Sequence, residues 1–309
     1  MDPIVCFFLL GLAAGILRTN LKFPEGFFEA VSIYLLISIG LKGGAVIAQS
    51  GVGDWVVPAL GTLFLGCSIP LIAYFILSKV LSFSRADSAA LAAHYGSVSI
   101  VTFAVVQSYL DQKGIPYEGF MSLLVVILEI PAIGIGLLLA KDPNSKVFSD
   151  HLVREVFLNK SIFLLLGGLF VGACLAPDKL KVLSPFFIDP FKGILALFLL
   201  EMGLVVSKRL GDLRRVGGRL ILFAIAMPIL AAIVGTFLAR VLDLSVGGTV
   251  VLATLSASAS YIAAPAAVRL AIPEANPTIY LTASLGITFP FNVFIGIPLY
   301  TAIIERLFL

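Results

Sequence analysis

Apolar runs alternate with short polar or Gly/Pro-marked breaks along the whole chain. The runs are roughly 15 to 27 residues long, and an α-helix needs about 20 apolar residues to cross the hydrocarbon core of a bilayer. The pattern therefore predicts an all-α polytopic membrane protein. The ten predicted transmembrane helices, numbered here as spans, cover residues 3–17, 28–48, 55–80, 88–109, 118–140, 161–176, 186–207, 217–241, 247–270 and 278–307.

Landmark sequences recur in the same order in the two halves of the chain. Nearly the same number of residues separates the members of each pair: GLAAG (11–15) and GLFVG (168–172), SIGLKGG (38–44) and EMGLVVS (201–207), YGSVSIV (95–101) and SASASYI (256–262), GIPYEG (114–119) and AIPEAN (271–276), EIPAI (129–133) and TFPFN (288–292). Halves with five spans each must enter the membrane in opposite orientations if they fold alike, which is a common design of secondary transporters. We therefore predict two inverted five-helix repeats, 1–140 and 161–309, joined by a linker at 141–160.

Composition and charge support a membrane protein and indicate its orientation. Hydrophobic residues make up 60% of the chain and charged residues 13%, against about 25% charged in ordinary soluble domains. Most of the 21 Lys and Arg residues fall in loops that follow odd-numbered spans, and basic loops tend to stay in the cytoplasm. We predict a multi-pass protein of a bacterial inner (plasma) membrane, with the linker inside and both termini outside. Motifs for ATP hydrolysis or metal-dependent proteolysis are missing from the sequence, so we expect neither an enzyme nor a nucleic-acid partner.

Spans 4 and 9 are interrupted by polar residues at matching positions of the two repeats. Span 4 contains Gly96, Ser97, Val98 and Ser99, followed by Thr102; span 9 contains Ser256, Ser258, Ala259 and Ser260, followed by Tyr261 and Pro265. A Gly-Ser pair or a proline favours a kink or an unwound turn. Freed N–H groups at the start of a helix attract an anion, and freed carbonyls attract a cation. Close helix packing explains any single one of these small residues better, but two matched clusters favour a binding site.

Glu129 lies deep in the apolar sequence of span 5. A carboxylate at that depth costs at least ~3 kcal/mol unless it is solvated, paired or protonated. A bound sodium ion would compensate the charge, since sodium prefers hard oxygen ligands; the alternative is a protonated or Lys-paired glutamate. The predicted sodium ligands are Glu129, Ser99, Thr102, Ser258, Ser260 and Asn292. The predicted anion ligands are Gly96, Ser97, Val98, Ser99, Ser256, Ser258, Ala259 and Ser260.

Two other polar residues have simpler explanations. His94 precedes the polar segment of span 4, and a lone histidine in an apolar helix is more often a hydrogen-bonded packing residue than a ligand. Lys42 lies near the outward end of span 2, where its long side chain can reach the membrane interface.

Several of these stretches resemble the sodium-dependent bicarbonate transporter family. They are HYGSVSIVTF (94–103), GIPYEGFMS (114–122), LEIPAI (128–133) and SASASYIAAPAAVRLAIPEANPTIYLTAS (256–284). The resemblance implies sodium-coupled bicarbonate uptake where spans 4 and 9 cross, a core domain from spans 3–5 and 8–10, a gate domain from spans 1, 2, 6 and 7, and a homotrimer. It also implies a PII-like cytosolic regulator as a partner. The chain departs from the family in having Tyr261 where the best-studied members carry an aspartate, and in its shorter linker.

The sequence as a whole favours a sodium-coupled symporter of bicarbonate or a similarly small anion, working by an elevator-type movement of core against gate. Small side chains around the two clusters leave room for a small anion, and the clusters have no intramembrane arginine to clamp a larger dicarboxylate. A transporter of a small organic acid is the alternative in the same class. A non-transporting membrane sensor and a channel are the alternatives in other classes.

Overall fold

The computed structural model describes residues 3–140, 159–175 and 177–308. Every regular element within these ranges is helical, in agreement with the predicted fold class. The helices are α1 (Pro3–Ile16), α2 (Phe27–Ile47), α3 (Val52–Phe75, continued by a π-helical turn at Ile76–Val80), α4 (Arg85–Gly96), α5 (Ile100–Lys113), α6 (Met121–Ala140), α7 (Lys160–Cys174), α8 (Pro177–Phe187), α9 (Phe191–Val241), α10 (Val246–Ala257), α11 (Ala264–Ala271) and α12 (Pro277–Leu307, with π-helical turns).

Seven helical segments of the described chain are long and apolar enough to cross a membrane. Three shorter apolar helices, α1, α7 and α10, accompany them. Each predicted span coincides with a helix or a pair of helices, so the polytopic membrane fold is confirmed. The count of ten crossings remains a prediction, because α1, α7 and α10 are shorter than a typical bilayer requires. Most of the predicted linker, residues 141–158, lies outside the described residues.

Two loops predicted from the sequence are helical instead. The sequence predicts a loop between spans 6 and 7, but Pro177–Phe187 forms α8. It also predicts a loop at 208–216, where the charged residues continue α9 as helix, and only Gly217 departs from helical geometry (φ 77°, ψ 157°). Charged residues such as Lys and Arg are good helix formers, so a polar stretch need not end a helix; the positive φ at Gly217 is a conformation that glycine adopts readily.

Helices of the two halves pack in a reciprocal way. The first part of α9 packs against α1, and α2 packs against α7. Gly203 of α9 lies so close to α1 that a Cβ there would meet the Phe8 carbonyl oxygen at 2.2 Å, and a Cβ on Gly40 of α2 would come within 2.8 Å of Gly168 in α7. Gly40 and Gly203 belong to one matched pair of sequence landmarks, and Gly168 to another. Each half therefore lends its second helix to the first helix of the other.

The helices that carry the polar interruptions form a second assembly. α3, α4 and α6 pack together, and α10 packs against α5, α9 and α12. The half-helices α4 and α10 are both 12 residues long, and α10 lies 161 residues after α4 at both ends (85 to 246 and 96 to 257). Ser84 and Ser245 cap their starts through side-chain oxygens. The residues that follow the two helices, Ser97 and Ser258, are both extended. The two polar interruptions therefore begin with the same backbone geometry.

Candidate functional site

The interruption in span 4 is a three-residue break between two helices. α4 ends at Gly96, Ser97 is extended (φ −84°, ψ 162°), and α5 begins at Ile100. The Ser99 hydroxyl oxygen caps α5 by accepting the Thr102 N–H at 3.1 Å. A helix that stops in this way leaves backbone groups without partners along the chain, so the polar segment predicted from the sequence is an unwound turn.

The interruption in span 9 is longer. α10 ends at Ala257, Ser258 is extended (φ −81°, ψ 166°), and α11 begins at Ala264. Pro265 lies in the first turn of α11, where its missing N–H would have had no helical partner in any case. The break therefore precedes the proline, as the sequence predicts, and the Ser260 hydroxyl oxygen accepts the Ala264 N–H at 3.3 Å.

The two breaks are in direct contact. The Ser99 N–H donates to the Ser258 hydroxyl oxygen at 3.0 Å, and that hydroxyl donates to the Leu255 carbonyl at 2.8 Å. The Ser260 N–H donates to the His94 carbonyl at 2.8 Å. Ser99 and Ser260 occupy equivalent places in the two repeats, and each uses its backbone N–H to hold the other half. The crossing of spans 4 and 9 is thus joined through the unwound residues themselves.

Backbone donors remain at the centre of each break. Val98 and Ala259 are 2% and 3% exposed, and their N–H groups form no hydrogen bond within the described ranges. A buried N–H without a partner is rare and costly, and the starts of α5 and α11 add the positive ends of two helix dipoles. These two N–H groups can donate hydrogen bonds to an anion, so the anion needs no basic side chain.

Glu129 lies beside the crossing, and its carboxyl group is buried without a partner. It is 1% exposed, and neither carboxylate oxygen has a hydrogen-bond partner in the part of the chain that the structure describes. Glu129 lines a narrow hollow with Ser99, Ser260 and Tyr261. A buried carboxylate without a partner is strongly unfavourable, and a sodium ion beside it would restore the balance.

Two of the predicted anion ligands, Gly96 and Ser256, are placed in helix contacts. A Cβ on Gly96 would come within 2.8 Å of Pro70 and Ala132 side chains, so the missing side chain lets α4 pack closely against α3 and α6. Ser256 lies inside α10, donates its hydroxyl proton to the Leu252 carbonyl at 2.8 Å and packs against Gly235 of α9. Both residues therefore serve helix packing, which is the alternative explanation for small polar residues in a membrane helix.

Three of the predicted sodium ligands, Ser258, Asn292 and Thr102, do not line the hollow. The Ser258 hydroxyl instead links the Ser99 N–H to the Leu255 carbonyl. Asn292 donates its amide N–H to the Ala257 carbonyl at 2.8 Å, and its amide oxygen accepts the Tyr300 hydroxyl at 3.1 Å. It therefore closes the end of α10 and does not line the hollow. The Thr102 hydroxyl is buried and unpartnered but does not line the hollow. Of the predicted sodium ligands, the structure brings Glu129, Ser99 and Ser260 together.

Tyr261 and His94 contribute to the site in ways that the sequence does not indicate. Tyr261 is buried, lines the hollow, packs edge-on against Phe289 with ring centroids 5.3 Å apart, and brings its hydroxyl near the Ser99 side chain without forming a well-aligned hydrogen bond. The His94 Nδ1–H donates to the Ala90 carbonyl at 2.7 Å, and the ring packs against Tyr280 in a tilted arrangement, in agreement with a packing role. Its main-chain carbonyl, which holds Ser260, is a feature that no side-chain pattern signals.

Acidic residues brace the starts of the two half-helices. The Glu118 carboxylate accepts the Ser245 N–H at 2.7 Å and the Ser245 hydroxyl at 3.1 Å at the start of α10. At the start of α4, the Asp87 carboxylate accepts the Asn276 N–H at 2.8 Å. Negative charge is favourable at the N-terminal end of a helix. The landmarks GIPYEG and AIPEAN, which precede spans 5 and 10, thus anchor the half-helices of the opposite repeat.

Comparison with known protein families agrees with this geometry. The family model described as the Na+-dependent bicarbonate transporter superfamily matches residues 3–305, nearly the whole chain. A search of curated proteins finds no match. The chain belongs to the Na+-dependent bicarbonate transporter superfamily and is a membrane transporter, not an enzyme.

Proposed function

We propose that this member of the Na+-dependent bicarbonate transporter superfamily is a sodium-coupled symporter of bicarbonate or a similarly small anion, with elevator-type alternating access. One observation carries the proposal: two interrupted helices contact each other through Ser99 and Ser258 at 3.0 Å, beside the buried and unpartnered carboxylate of Glu129. Unwound backbone and an unpaired carboxylate are tolerated in a membrane protein where they serve a polar ligand.

The sodium ion is assigned to the hollow at Glu129. The carboxylate supplies the negative charge, and Ser99 and Ser260 supply oxygen atoms from the two breaks. Because one ligand comes from span 5 and the others from spans 4 and 9, the ion would tie the three segments together. Sodium binding would then stabilise the crossing at which the anion binds, which provides a physical reason for coupled transport.

The anion is assigned to the amides of Val98 and Ala259, with the unpartnered hydroxyl of Ser97 as a further donor. Ser258 takes part by holding the Ser99 N–H in place. A site made of backbone donors and short hydroxyls suits an ion of few atoms. None of these groups is a basic side chain such as an arginine, which could bind the second carboxylate of a dicarboxylate.

Movement is assigned to the assembly of α3–α6, the second part of α9 and α10–α12, sliding against α1, α2, α7 and the first part of α9. These are the core and gate domains predicted from the sequence. The reciprocal packing of Gly203 on α1 and of Gly40 on Gly168, together with the equal lengths of α4 and α10, supports the inverted five-helix repeats. Gly217, with its positive φ, lies where α9 passes from gate to core and could act as a hinge.

The assembly and location follow the family expectation. We propose a homotrimer in a bacterial inner membrane with both termini outside. The predicted partner, a PII-like cytosolic regulator, would bind at the linker of residues 141–160, most of which lies outside the described residues.

Uptake by purified protein in proteoliposomes tests the proposal. We expect an inward sodium gradient to drive accumulation of labelled bicarbonate above its equilibrium level, whereas an equal choline gradient does not. Uptake that is indifferent to sodium would reject coupling. Saturable binding without accumulation would identify a sensor, non-saturating flux a channel, and competition by acetate at equal concentration a transporter of small organic acids.

A further inference from the structure

A recess of about 220 Å³ lies outside the crossing, where α2, α5 and the start of α9 meet. We call it the vestibule. The part of its lining that matters here consists of Ser38 and Lys42 on α2, Gln107, Ser108 and Asp111 on α5, and Lys192 on α9. Its helices come from both the proposed gate and the proposed core. It lies toward the C-terminal ends of α2 and α5, whereas the start of α2 is paired with the start of α7 through Glu29 and Lys160.

One face of α5 connects the vestibule to the hollow at Glu129. Ile100 lines the hollow, whereas Gln107 and Asp111 line the vestibule. These positions are separated by seven and eleven residues, so they lie on the same face of the helix. Seven residues of α-helix span about 10 Å. An anion in the vestibule is therefore one short step from the unwound residues.

The donors of the vestibule lack acceptors. Lys192 has no carboxylate within ion-pair distance among the described residues, and the Lys42 ammonium is 4.0 Å from an Asp111 oxygen, a long contact. Gln107 is 8% exposed, and its side-chain amide forms no hydrogen bond within the described ranges. Gln107 lines the recess, so its amide is a donor that a ligand in the recess can reach.

The acidic side chains of the vestibule, in contrast, already accept hydrogen bonds. Asp111 accepts the Tyr117 hydroxyl at 3.2 Å in addition to its contact with Lys42. Asp189, which also lines the recess, accepts the Ser184 hydroxyl at 3.0 Å. Lys192 and the Gln107 amide, in contrast, have no partner among the described residues, and these donors fit a ligand that carries acceptor oxygens.

We infer that the vestibule is a second anion site, at which Lys42, Lys192 and Gln107 bind a small oxyanion of the bicarbonate class before it reaches the crossing. The inference rests on the proposed function for the direction of movement, but the binding itself requires neither sodium nor Glu129. Lys42 thus has a role beyond reaching the membrane interface.

Direct binding is measured by line broadening of carbon-13 bicarbonate in sodium-free choline buffer. We expect broadening with the native protein and with Glu129→Gln, and its loss in the double variant Lys42→Gln/Lys192→Gln. The matched control is Lys179→Gln/Lys181→Gln, which removes two exposed lysines of α8 that do not line the vestibule. Gln107→Leu, which keeps the size and removes the amide, should weaken the broadening. Broadening that persists in Lys42→Gln/Lys192→Gln, or that is absent from the native protein, would overturn the inference.

Transport gives the second readout. In sodium-driven uptake, Lys42→Gln/Lys192→Gln should raise the KM for bicarbonate about tenfold, equivalent to ~1.4 kcal/mol, while Vmax and the sodium concentration for half-activation stay within about twofold of those of the control variant. An unchanged KM would contradict a role in capture. If the native protein shows no sodium-dependent uptake at all, the proposed function fails, whereas the binding measurement still decides the vestibule.

Discussion

The breaks in spans 4 and 9 share a backbone design but differ in the residue behind them. Behind the first stands Glu129, buried with both carboxylate oxygens unpartnered. Behind the second stands Asn292, whose amide binds the Ala257 carbonyl and the Tyr300 hydroxyl. The two halves therefore have the same caps and extended turns. One half has a buried carboxyl group without a partner, and the other has an amide whose N–H and oxygen are both hydrogen-bonded. The difference agrees with the proposed function, in which the sodium ion binds in the first half, while the hydrogen bonds of Asn292 hold the second half rigid.

Glu129→Gln has the largest expected effect. It removes the charge that we assign to sodium without changing the shape of the side chain. Sodium should raise the thermal unfolding midpoint of the native protein in detergent, since a ligand that binds only the folded state stabilises it by ~2.7 kcal/mol at 100 times its Kd. The variant should lose this shift and also its sodium-dependent uptake.

The sodium-free protein provides the control for Glu129→Gln. Because removal of an unpaired buried charge is favourable, the variant should unfold at a higher temperature than the native protein when sodium is absent. A variant that still gains stability from sodium, to the same extent as the native protein, would place the ion elsewhere. Sodium activation of the native protein should show no sigmoidicity, because only one of the two breaks carries a carboxylate.

Asn292→Leu tests the other half and should act on stability alone. It leaves the Ala257 carbonyl and the Tyr300 hydroxyl without partners, at a cost on the order of 3 kcal/mol. We expect a lower unfolding midpoint in detergent, together with an unchanged sodium concentration for half-activation in whatever folded protein can be reconstituted. A shifted sodium dependence with normal stability would return Asn292 to the ion site and remove the asymmetry between the halves.

Ser258→Val tests the contact between the halves. Valine leaves the buried Ser99 N–H without its acceptor, which costs about 1–3 kcal/mol. We expect a higher KM for bicarbonate by roughly tenfold, measured by uptake. Ser256→Ala is the matched control, because Ser256 is two residues away but faces Gly235 and bonds only within its own helix. Equal effects of the two substitutions would mean that the crossing does not depend on Ser258.

The comparison also shows which features a sequence can predict. The breaks follow from local chemistry: Pro265 cannot continue the preceding helix, and Ser84, Ser99 and Ser245 cap the helices that follow them. The burial of Glu129 follows from the apolar sequence around it. The roles of Ser256 and Asn292 do not, because they depend on which helix faces each side chain. Ser256 meets Gly235 only through the packing of α10 on α9.

The hydropathy pattern also did not predict that α9 continues as a helix through its charged segment. The charged residues at 208–216 predict a loop, since hydropathy falls there, yet they continue α9 up to Gly217. Hydropathy reports where the apolar solvent ends, whereas helix propensity decides where the helix ends. The polar interruptions of spans 4 and 9 differ from this charged segment, because the Gly-Ser pair of span 4 and Pro265 of span 9 interrupt the helical backbone itself.

Gly96→Ala has the smallest expected effect and separates packing from binding in the first break. The new Cβ would approach the Pro70 and Ala132 side chains at 2.7 and 2.8 Å, and overpacking of this kind costs about 1–3 kcal/mol. Gly134→Ala on α6 is the matched control, because nothing lies within 4 Å of its Cβ. We expect Gly96→Ala to lower the unfolding midpoint relative to this control while the KM for bicarbonate stays unchanged. A raised KM at normal stability would instead make Gly96 part of the anion site, and the two halves would then differ in their backbone as well as in the residues behind it.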